Sequence, residues 1–246
     1  MDMNSTELNH EETLVYEILK EFLKNKSFSS RSDVIDFIYQ RLTTNSNINK
    51  NKISLILQIL EKKKKIIIGT KLIKDNILDI PLRKKIFDII RKNPGININE
   101  LEKTLNIGSN QVLLHLDNLE KFKFIKSIKI GNQKAYYMYD LDPACFETYF
   151  FLRKDKVKRI IELLKNNNAN SGLSPTRMSK QLKMHYNTIR KYLNILYKIG
   201  IIKLFAKNNQ KKYFLDLENY NEKLEDIKNY SKQVRSNFVQ EFVLAI

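Results

Sequence analysis

One apolar pattern occurs twice in this chain of 246 residues, at a constant offset of 77 positions, and it constrains the fold more than any other feature. The match begins in an amphipathic stretch and continues to a short apolar segment more than 30 residues later. The matched pairs are Leu105 and Leu182, Ile107 and Met184, Ile125 and Ile202, Gln133 and Gln210, Lys134 and Lys211, and Tyr136 and Tyr213. Because one register is kept over this whole length, we expect two copies of one domain.

A helical period extends the repeat to a third, less regular copy near the N-terminus. In each copy three apolar residues are spaced i, i+4, i+7, which places them on one face of a helix. The three sets are Ile53, Leu57 and Leu60; Val112, Leu116 and Leu119; and Ile189, Leu193 and Leu196. Each copy is therefore predicted to contain three helices, of which the third carries this stripe, followed by a short strand.

Proline, cap and turn residues predict the limits of the copies. A residue before proline is seldom helical, so Ile80-Pro81 and Asp142-Pro143 mark the ends of the second copy. Asn97 with Glu100 predicts a capping box, and Ser174 followed by Pro175 predicts a helix start. The expected domains are a degenerate first copy at 1–79, a second copy at 80–142, a third at 143–215, and a terminal helix at 216–246.

Polar turns between short apolar segments predict the strands. Gly131-Asn132 lies between two apolar segments and is typical of a β-hairpin, and the third copy has a longer polar loop from Lys207 to Gln210. Residues 66–73 of the first copy leave room only for a stunted hairpin. The predicted class is mainly α with small β-hairpins (α+β), as tandem winged-helix domains followed by a C-terminal helix.

Over about residues 81–215 the chain resembles archaeal predicted transcriptional regulators with tandem winged helix-turn-helix domains, which are relatives of MarR/ArsR-type repressors. The resemblance is carried by Asn93-Pro94-Gly95-Ile96 leading into Glu100-Leu101, and by the segment from Met184 to Leu193. It implies that the third helix of each copy enters the major groove of DNA and that the hairpin contacts the backbone. The first copy departs from the pattern, so an interaction or spacer role is expected for it.

Positive charge is concentrated in the third copy. The whole chain carries +17, and residues 143–215 alone contain 16 Lys and Arg against three acidic residues, a net +13. Residues 1–79 carry +2, residues 80–142 carry +4, and residues 216–246 carry −2. A coding bias toward lysine would act on all segments alike, whereas phosphate binding explains the concentration. Residues 143–215 are therefore predicted to be the main DNA-binding domain.

The predicted contact residues are polar or basic side chains opposite the apolar stripe of the third helix or around the tip of the following hairpin, since such groups hydrogen-bond base edges or phosphates. In the third copy they are Tyr186, Asn187, Thr188, Arg190, Lys191, Asn194, Lys198, Lys207, Lys211 and Lys212. Auxiliary contacts in the second copy are Ser109, Asn110, Gln111, Asn118, Lys129 and Lys134. The second copy also carries Leu113 and Leu114 on this face, and the first carries Leu55 and Ile59, which suits a protein contact better.

Other function classes have little support. The single Cys145 excludes an intramolecular disulfide and a cysteine zinc finger, and it fits a reducing compartment. The acidic N-terminus predicts no signal peptide, and no apolar stretch has membrane-spanning length, so a cytoplasmic location is expected. No phosphate-cradling loop, Ser/His/Asp arrangement or metal-ligand spacing is present, so no enzymatic activity, cofactor or metal is expected. His115 is expected to pack or to face solvent.

The C-terminal segment leaves two interpretations open. Apolar residues recur there in steps of three and four, interrupted once by a serine, at Leu217, Tyr220, Leu224, Ile227, Ser231, Val234 and Phe238. This seam predicts either a helix packed on its own chain or a homodimer formed through residues 217–246.

For the whole chain, a sequence-specific regulator of double-stranded DNA is predicted. The alternative is a winged-helix scaffold for proteins, as in ESCRT-II-like or RNA-polymerase-associated subunits. No motif identifies an operator or a small-molecule effector.

Overall fold

The computed structural model describes residues 7–26, 30–42, 47–167, 172–207 and 210–243; for Lys207 and for residues 231–243 it describes the backbone only. The described chain is mainly helical with small antiparallel sheets, as the predicted α+β class requires. It forms two compact units. One comprises Met1–Asp88 and Leu101–Lys126, and the other comprises Ile89–Glu100 and Ser127–Ile246. The division runs through the segment expected to be the second domain.

The first unit begins with a three-helix core. Its helices are α1 (His10–Asn25), α2 (Arg31–Arg41) and α3 (Lys50–Lys62). Asn9 caps α1 in a reciprocal capping box with Glu12, and Ser30 caps α2. The predicted stripe on α3 is fully buried, and a single antiparallel bridge between Ile66 and Ile73 forms where a stunted hairpin was expected. A 3-10 turn, Lys74–Asp79, follows.

Three further helices follow: α4 (Pro81–Lys92), α5 (Ile98–Leu105) and α6 (Ser109–Lys121). The stripe Val112, Leu116 and Leu119 on α6 is buried, while Leu113 and Leu114 are exposed by 42% and 60%. The outward face of α6 is therefore partly apolar, as the sequence predicts.

His115 is also buried on α6, close to the buried Arg83. Burial lowers the pKa of His115, and the positive charge of Arg83 lowers it further. Of the two alternatives expected for His115, packing and solvent exposure, the structure shows packing.

A three-stranded antiparallel sheet contains β1 (Ile96–Asn97), β2 (Ile125–Ile130) and β3 (Gln133–Met138), with β3 in the centre. Asn97 and Glu100 form the predicted capping box at the start of α5. Tyr136 and Tyr137 are adjacent on β3 and yet both fully buried, so both faces of this strand are covered. Tyr137 stacks on Phe146 at 4.2 Å between ring centroids and donates its hydroxyl to the Phe146 carbonyl at 2.9 Å.

The third copy lies entirely in the second unit. After a 3-10 turn (Pro143–Cys145) it contains α7 (Phe146–Leu152), α8 (Asp155–Asn166), α9 (Pro175–Leu182), α10 (Tyr186–Lys198), β4 (Ile202–Lys207) and β5 (Gln210–Leu215). The bounds of α9, α10, β4 and β5 equal those of α5, α6, β2 and β3 plus 77. The pairing of Ile96 with Tyr136 recurs as an isolated bridge between Leu173 and Tyr213. The repeat register predicted from sequence is thus present in the elements themselves.

Helix α11 (Leu217–Val243) ends the described chain and packs on the second unit. Asn219 donates its amide to the Gly200 carbonyl at 2.7 Å, and Tyr220 packs against the core of the third copy. Ile227 and Tyr230 pack against the cluster that contains Tyr149. Tyr220 and Ile227 of the predicted seam therefore pack within the chain, while Leu217 is exposed. The side chains of Ser231, Val234 and Phe238 lie outside the description. None of the described helices is long and apolar enough to cross a membrane.

Candidate nucleic-acid interface

Helix α10 is anchored through its apolar stripe and its N-terminal turn. Ile189, Leu193 and Leu196 are fully buried, which turns the polar residues between them outward. The turn from α9 to α10 is tight because Lys183 adopts a left-handed conformation, with φ of 52°. Ser179 closes this turn by donating its hydroxyl to the Met184 carbonyl at 2.6 Å. The outward face of α10 therefore has a defined orientation within the second unit.

A cleft of about 730 Å³ lies along one flank of α10, between the start of α9 and strand β5. We call it the hairpin cleft. It brings together five of the predicted contact residues, namely Tyr186, Arg190, Asn194, Lys211 and Lys212. The other lining residues are Gly172, Ser174, Pro175, Thr176, Arg177, Gln210 and Tyr213. This lining contains four cationic side chains and no acidic one.

Backbone pairing holds the hairpin beside α10. The amide of Leu173 donates to the Tyr213 carbonyl at 3.0 Å, and the amide of Tyr213 donates to the Leu173 carbonyl at 2.9 Å. The guanidinium carbon of Arg190 lies 5.8 Å from the Tyr186 ring centroid. Burial raises the pKa of Tyr213, and the nearby Arg190 charge opposes that rise. These contacts hold β5 beside the start of α9 and place the Arg190 guanidinium near the Tyr186 ring.

The remaining predicted residues of the third copy lie elsewhere. Lys191 and Lys198 face a second cleft on another flank of α10, where Lys198 pairs with Glu147 at 3.0 Å. Asn187 and Thr188 lie in the first turn of α10 and line neither cleft; Asn187 is exposed and Thr188 is half-buried. The side chain of Lys207 lies outside the described residues.

Arg177 is a lining residue that sequence reasoning did not select. Ser174 accepts a hydrogen bond from the Arg177 amide at 3.3 Å, and Pro175 occupies the first position of α9. The predicted cap and proline already marked this helix start in the sequence. Because helix N-termini favour phosphate, a basic residue in the first turn could have been added on that signal.

The auxiliary residues of the second copy fall into two groups. Ser109, Asn110 and Gln111 are exposed at the start of α6 in the first unit, while Asn118 turns its amide back onto the helix at the Leu114 carbonyl, 2.9 Å away. The other two, Lys129 and Lys134, are exposed on the hairpin β2–β3 in the second unit. The structure therefore does not place these residues within one compact unit.

Comparison with known proteins also points to a transcriptional regulator. No family model matches this chain. Over 176 residues, 71% of the chain, it is 30% identical to an uncharacterized HTH-type transcriptional regulator of Methanocaldococcus jannaschii. The matched part covers 44% of that relative, so the chain spans less than half of its length. Over most of its own length, the chain is thus similar to an HTH-type transcriptional regulator.

Proposed function

We propose that this chain is a transcriptional regulator that binds double-stranded DNA, with α10 of a winged-helix domain at residues 143–215 as its reading helix. The observation that carries the proposal is the lining of the hairpin cleft. It contains four cationic side chains and no acidic one, which suits contact with the negatively charged phosphate backbone of DNA. The net charge of +13 on this segment and the similarity to an HTH-type regulator support it. The role is binding rather than catalysis, in the cytoplasm, where a regulator of this kind meets its DNA.

In this proposal the position of each side chain determines whether it contacts bases or phosphates. Arg190 and Asn194 project from the middle of α10 and supply the donors and acceptors that read base edges in the major groove. Arg177, Lys211 and Lys212 flank the helix on α9 and β5 and bind phosphates on either side of the groove. Base contacts specify the sequence, and phosphate contacts set affinity and register.

A second candidate, a protein-binding scaffold, is favoured by one observation. Leu55, Ile59, Leu113 and Leu114 are exposed by 58%, 37%, 42% and 60% on the outward faces of α3 and α6. We propose that these faces of the first unit contact protein, whereas the third copy contacts DNA. Residues 1–79 and 80–142 then serve as an interaction domain and an auxiliary domain.

The test is a titration of labelled duplex DNA with the full chain, followed by fluorescence anisotropy at several salt concentrations. Arg177→Gln should weaken binding about five-fold and reduce the slope of log affinity against log salt by about 0.9, because it removes one phosphate contact. Arg190→Gln should weaken binding at least about five-fold and reduce the preference for one DNA sequence over another, because it removes a base contact. Lys24→Gln is the matched control, because it removes one exposed positive charge from α1. Binding that is insensitive to salt, or that weakens equally in all three variants, contradicts the proposal.

A further inference from the structure

Strand β4 carries an aromatic side chain that faces solvent. Phe205 is 57% exposed, whereas its neighbour Leu204 packs against the core of the third copy. Successive side chains of a strand alternate between its two faces, so Phe205 lies on the face of the β4–β5 hairpin that points away from this core. The ring is therefore available to a partner outside the domain.

Antiparallel pairing determines which other residues share this face. Lys212 lies directly opposite Phe205, and Phe214 lies directly opposite Lys203. Lys203 and Phe205 are two positions apart on β4, so both cross-strand pairs belong to the same side of the hairpin. We call these four residues, Lys203, Phe205, Lys212 and Phe214, the outer hairpin face. It combines aromatic rings with ammonium groups.

The two lysines of the outer hairpin face differ in their neighbours. The Lys203 ammonium pairs with the Asp216 carboxylate at 2.8 Å. Lys212 is exposed and has no acidic partner within ion-pair distance in the described part of the chain. Lys212 also lines the hairpin cleft, and the Cβ atoms of directly opposite residues lie about 4.5–5.5 Å apart. A nucleic-acid strand with a phosphate at Lys212 is therefore within reach of the Phe205 ring.

The second copy shows that the equivalent face accepts a flat ring. Tyr137 and Ala135 occupy the positions of Phe214 and Lys212, 77 residues earlier. Both are fully buried in a cluster with α7, and Phe146 of that helix stacks on Tyr137 at 4.2 Å with the ring planes 18° apart. In the third copy Lys212 is exposed and Phe214 is half-buried. The same face is thus covered by an aromatic side chain in one copy, and is more exposed and more positively charged in the other.

We propose that the outer hairpin face binds an unpaired base of DNA. The base stacks on the Phe205 ring, and an adjacent phosphate pairs with Lys212. An exposed ring beside an uncompensated cation suits single-stranded nucleic acid, because every base has a π-face and every nucleotide carries a phosphate. A base inside an intact duplex is already stacked on both sides, so an unpaired base gains more from Phe205.

Charge favours a nucleic acid over a protein as the occupant of this face. An apolar protein surface that covered Phe205 would also remove water from Lys203 and Lys212, and burial of a charged group without a new partner is costly. A phosphate leaves Lys212 paired instead. The surrounding segment, residues 143–215, contains 16 cationic and three acidic residues, which also favours a polyanion.

The placement of this site beside a duplex rests on the proposed function. Helix α10 and the hairpin cleft contact paired DNA in that proposal, and Lys212 belongs to both surfaces. The preferred ligand is then a duplex that continues into a single strand. Stacking on Phe205 itself does not depend on the duplex, so it can be measured with single-stranded DNA alone.

The stacking is tested with a tryptophan reporter. The chain contains no tryptophan, so Phe205→Trp introduces a single indole whose fluorescence a stacked base should quench. The full-length variant is titrated with oligothymidylate of about 12 nucleotides, a length within the usual range of single-strand sites. Tyr197→Trp is the matched control, because Tyr197 is 55% exposed on α10 and lines neither cleft. Quenching should occur in Phe205→Trp and not in Tyr197→Trp.

The contribution to affinity is measured with alanine variants. Phe205→Ala should raise the dissociation constant for oligothymidylate about ten-fold, as loss of one base–aromatic stack does. Tyr197→Ala should leave this constant unchanged, and circular dichroism checks that each variant is folded. Equal quenching of the two reporters, equal effects of the two alanine variants, or quenching of Phe205→Trp by saturating blunt duplex as strong as by oligothymidylate would overturn the proposal.

A duplex with a single-stranded overhang connects this site with the proposed function. The native chain should bind it more tightly than the blunt duplex, and Phe205→Ala should lose this preference. Quenching by oligothymidylate in a chain that binds no duplex contradicts the proposed function and leaves the stacking site established. Duplex binding by a chain whose Phe205→Trp reporter is not quenched by oligothymidylate contradicts the stacking site alone.

Discussion

At the scale of single residues, neighbouring positions on α10 have different roles: one supports the fold and the next is proposed to contact DNA. Ile189 is fully buried, and Arg190 beside it is exposed. Ile189→Asp places a carboxylate in the core and should destabilise the second unit by about 3 kcal/mol or more. Arg190→Ala should leave the melting temperature nearly unchanged while weakening DNA binding. Thermal denaturation decides this, and a lower melting temperature for Arg190→Ala than for Ile189→Asp would show that the helical register is wrong.

His115 makes the stability of the first unit depend on pH. Burial, and then the Arg83 charge, lowers the pKa of His115 in the folded chain. The unfolded chain therefore takes up a proton below about pH 6.5, where the folded chain does not yet do so. The free energy of unfolding should fall with decreasing pH in this window, by at most about 1.4 kcal/mol per pH unit, until the folded state is protonated too.

Urea denaturation at several pH values measures this effect against His115→Gln, which retains a polar side chain but has no titrating imidazole. The difference in pH slope between the two proteins isolates the histidine from the carboxylates. A variant that loses as much stability as the native chain between pH 7 and pH 5 would contradict the role of His115.

At the scale of elements, the two copies show how one local pattern serves different surroundings. Strand β3 is the centre of a three-stranded sheet, and Tyr137 faces α7. Strand β5 is joined by one bridge to Leu173, and Phe214, which corresponds to Tyr137 in the repeat, is half-buried rather than fully buried. The same register is thus kept while the burial of the paired positions differs.

Helix α11 is held to the second unit by a few side chains on one face. Ile227 packs against the cluster of Tyr137, Tyr149 and Phe150, while Asn229 is exposed. Ile227→Ala should lower the free energy of unfolding by about 1–2 kcal/mol, less than for a fully buried isoleucine because the side chain is only partly buried. Asn229→Ala should change it by no more than about 0.5 kcal/mol. Urea denaturation showing equal effects would mean that α11 does not use this face.

At the scale of the whole molecule, a homodimer through residues 217–246 stays a prediction. Tyr220 and Ile227 of the seam contact their own chain, and the side chains of Ser231, Val234 and Phe238 lie outside the description. A reader of paired half-sites, spaced roughly 34–36 Å apart, gains affinity and specificity from two chains. We keep the prediction of a dimer through this helix. Light scattering should find a dimer for the full chain and a folded monomer after deletion of residues 231–246. A monomeric full chain would contradict it.

Local signals in the sequence were enough for most of the elements, although they predicted neither strand β1 nor helix α7, the fourth helix of the third copy. The offset of 77, the i, i+4, i+7 stripes and the caps at Asn97 and Ser174 predicted helices, hairpins and their order. These features succeed because they depend on contacts within one turn of helix or between neighbouring strands, which nearby residues determine. Tyr186, Arg190 and Asn194 share one flank of α10 for this reason, whereas Lys211 and Lys212 join them in the hairpin cleft because β5 packs beside that helix.

The neighbours of each exposed or partly buried helix face depend on tertiary packing, which local sequence patterns do not specify. Arg177 reaches the hairpin cleft because the Leu173–Tyr213 bridge brings the start of α9 beside β5. Lys191 and Lys198 face the second cleft beside α10 because α7 and the β2–β3 hairpin pack along that flank of the helix. Ile227 is used inside its own chain because a seam in sequence specifies an apolar face but not the surface that covers it. Such outcomes depend on packing between residues far apart in sequence, and no local period encodes them.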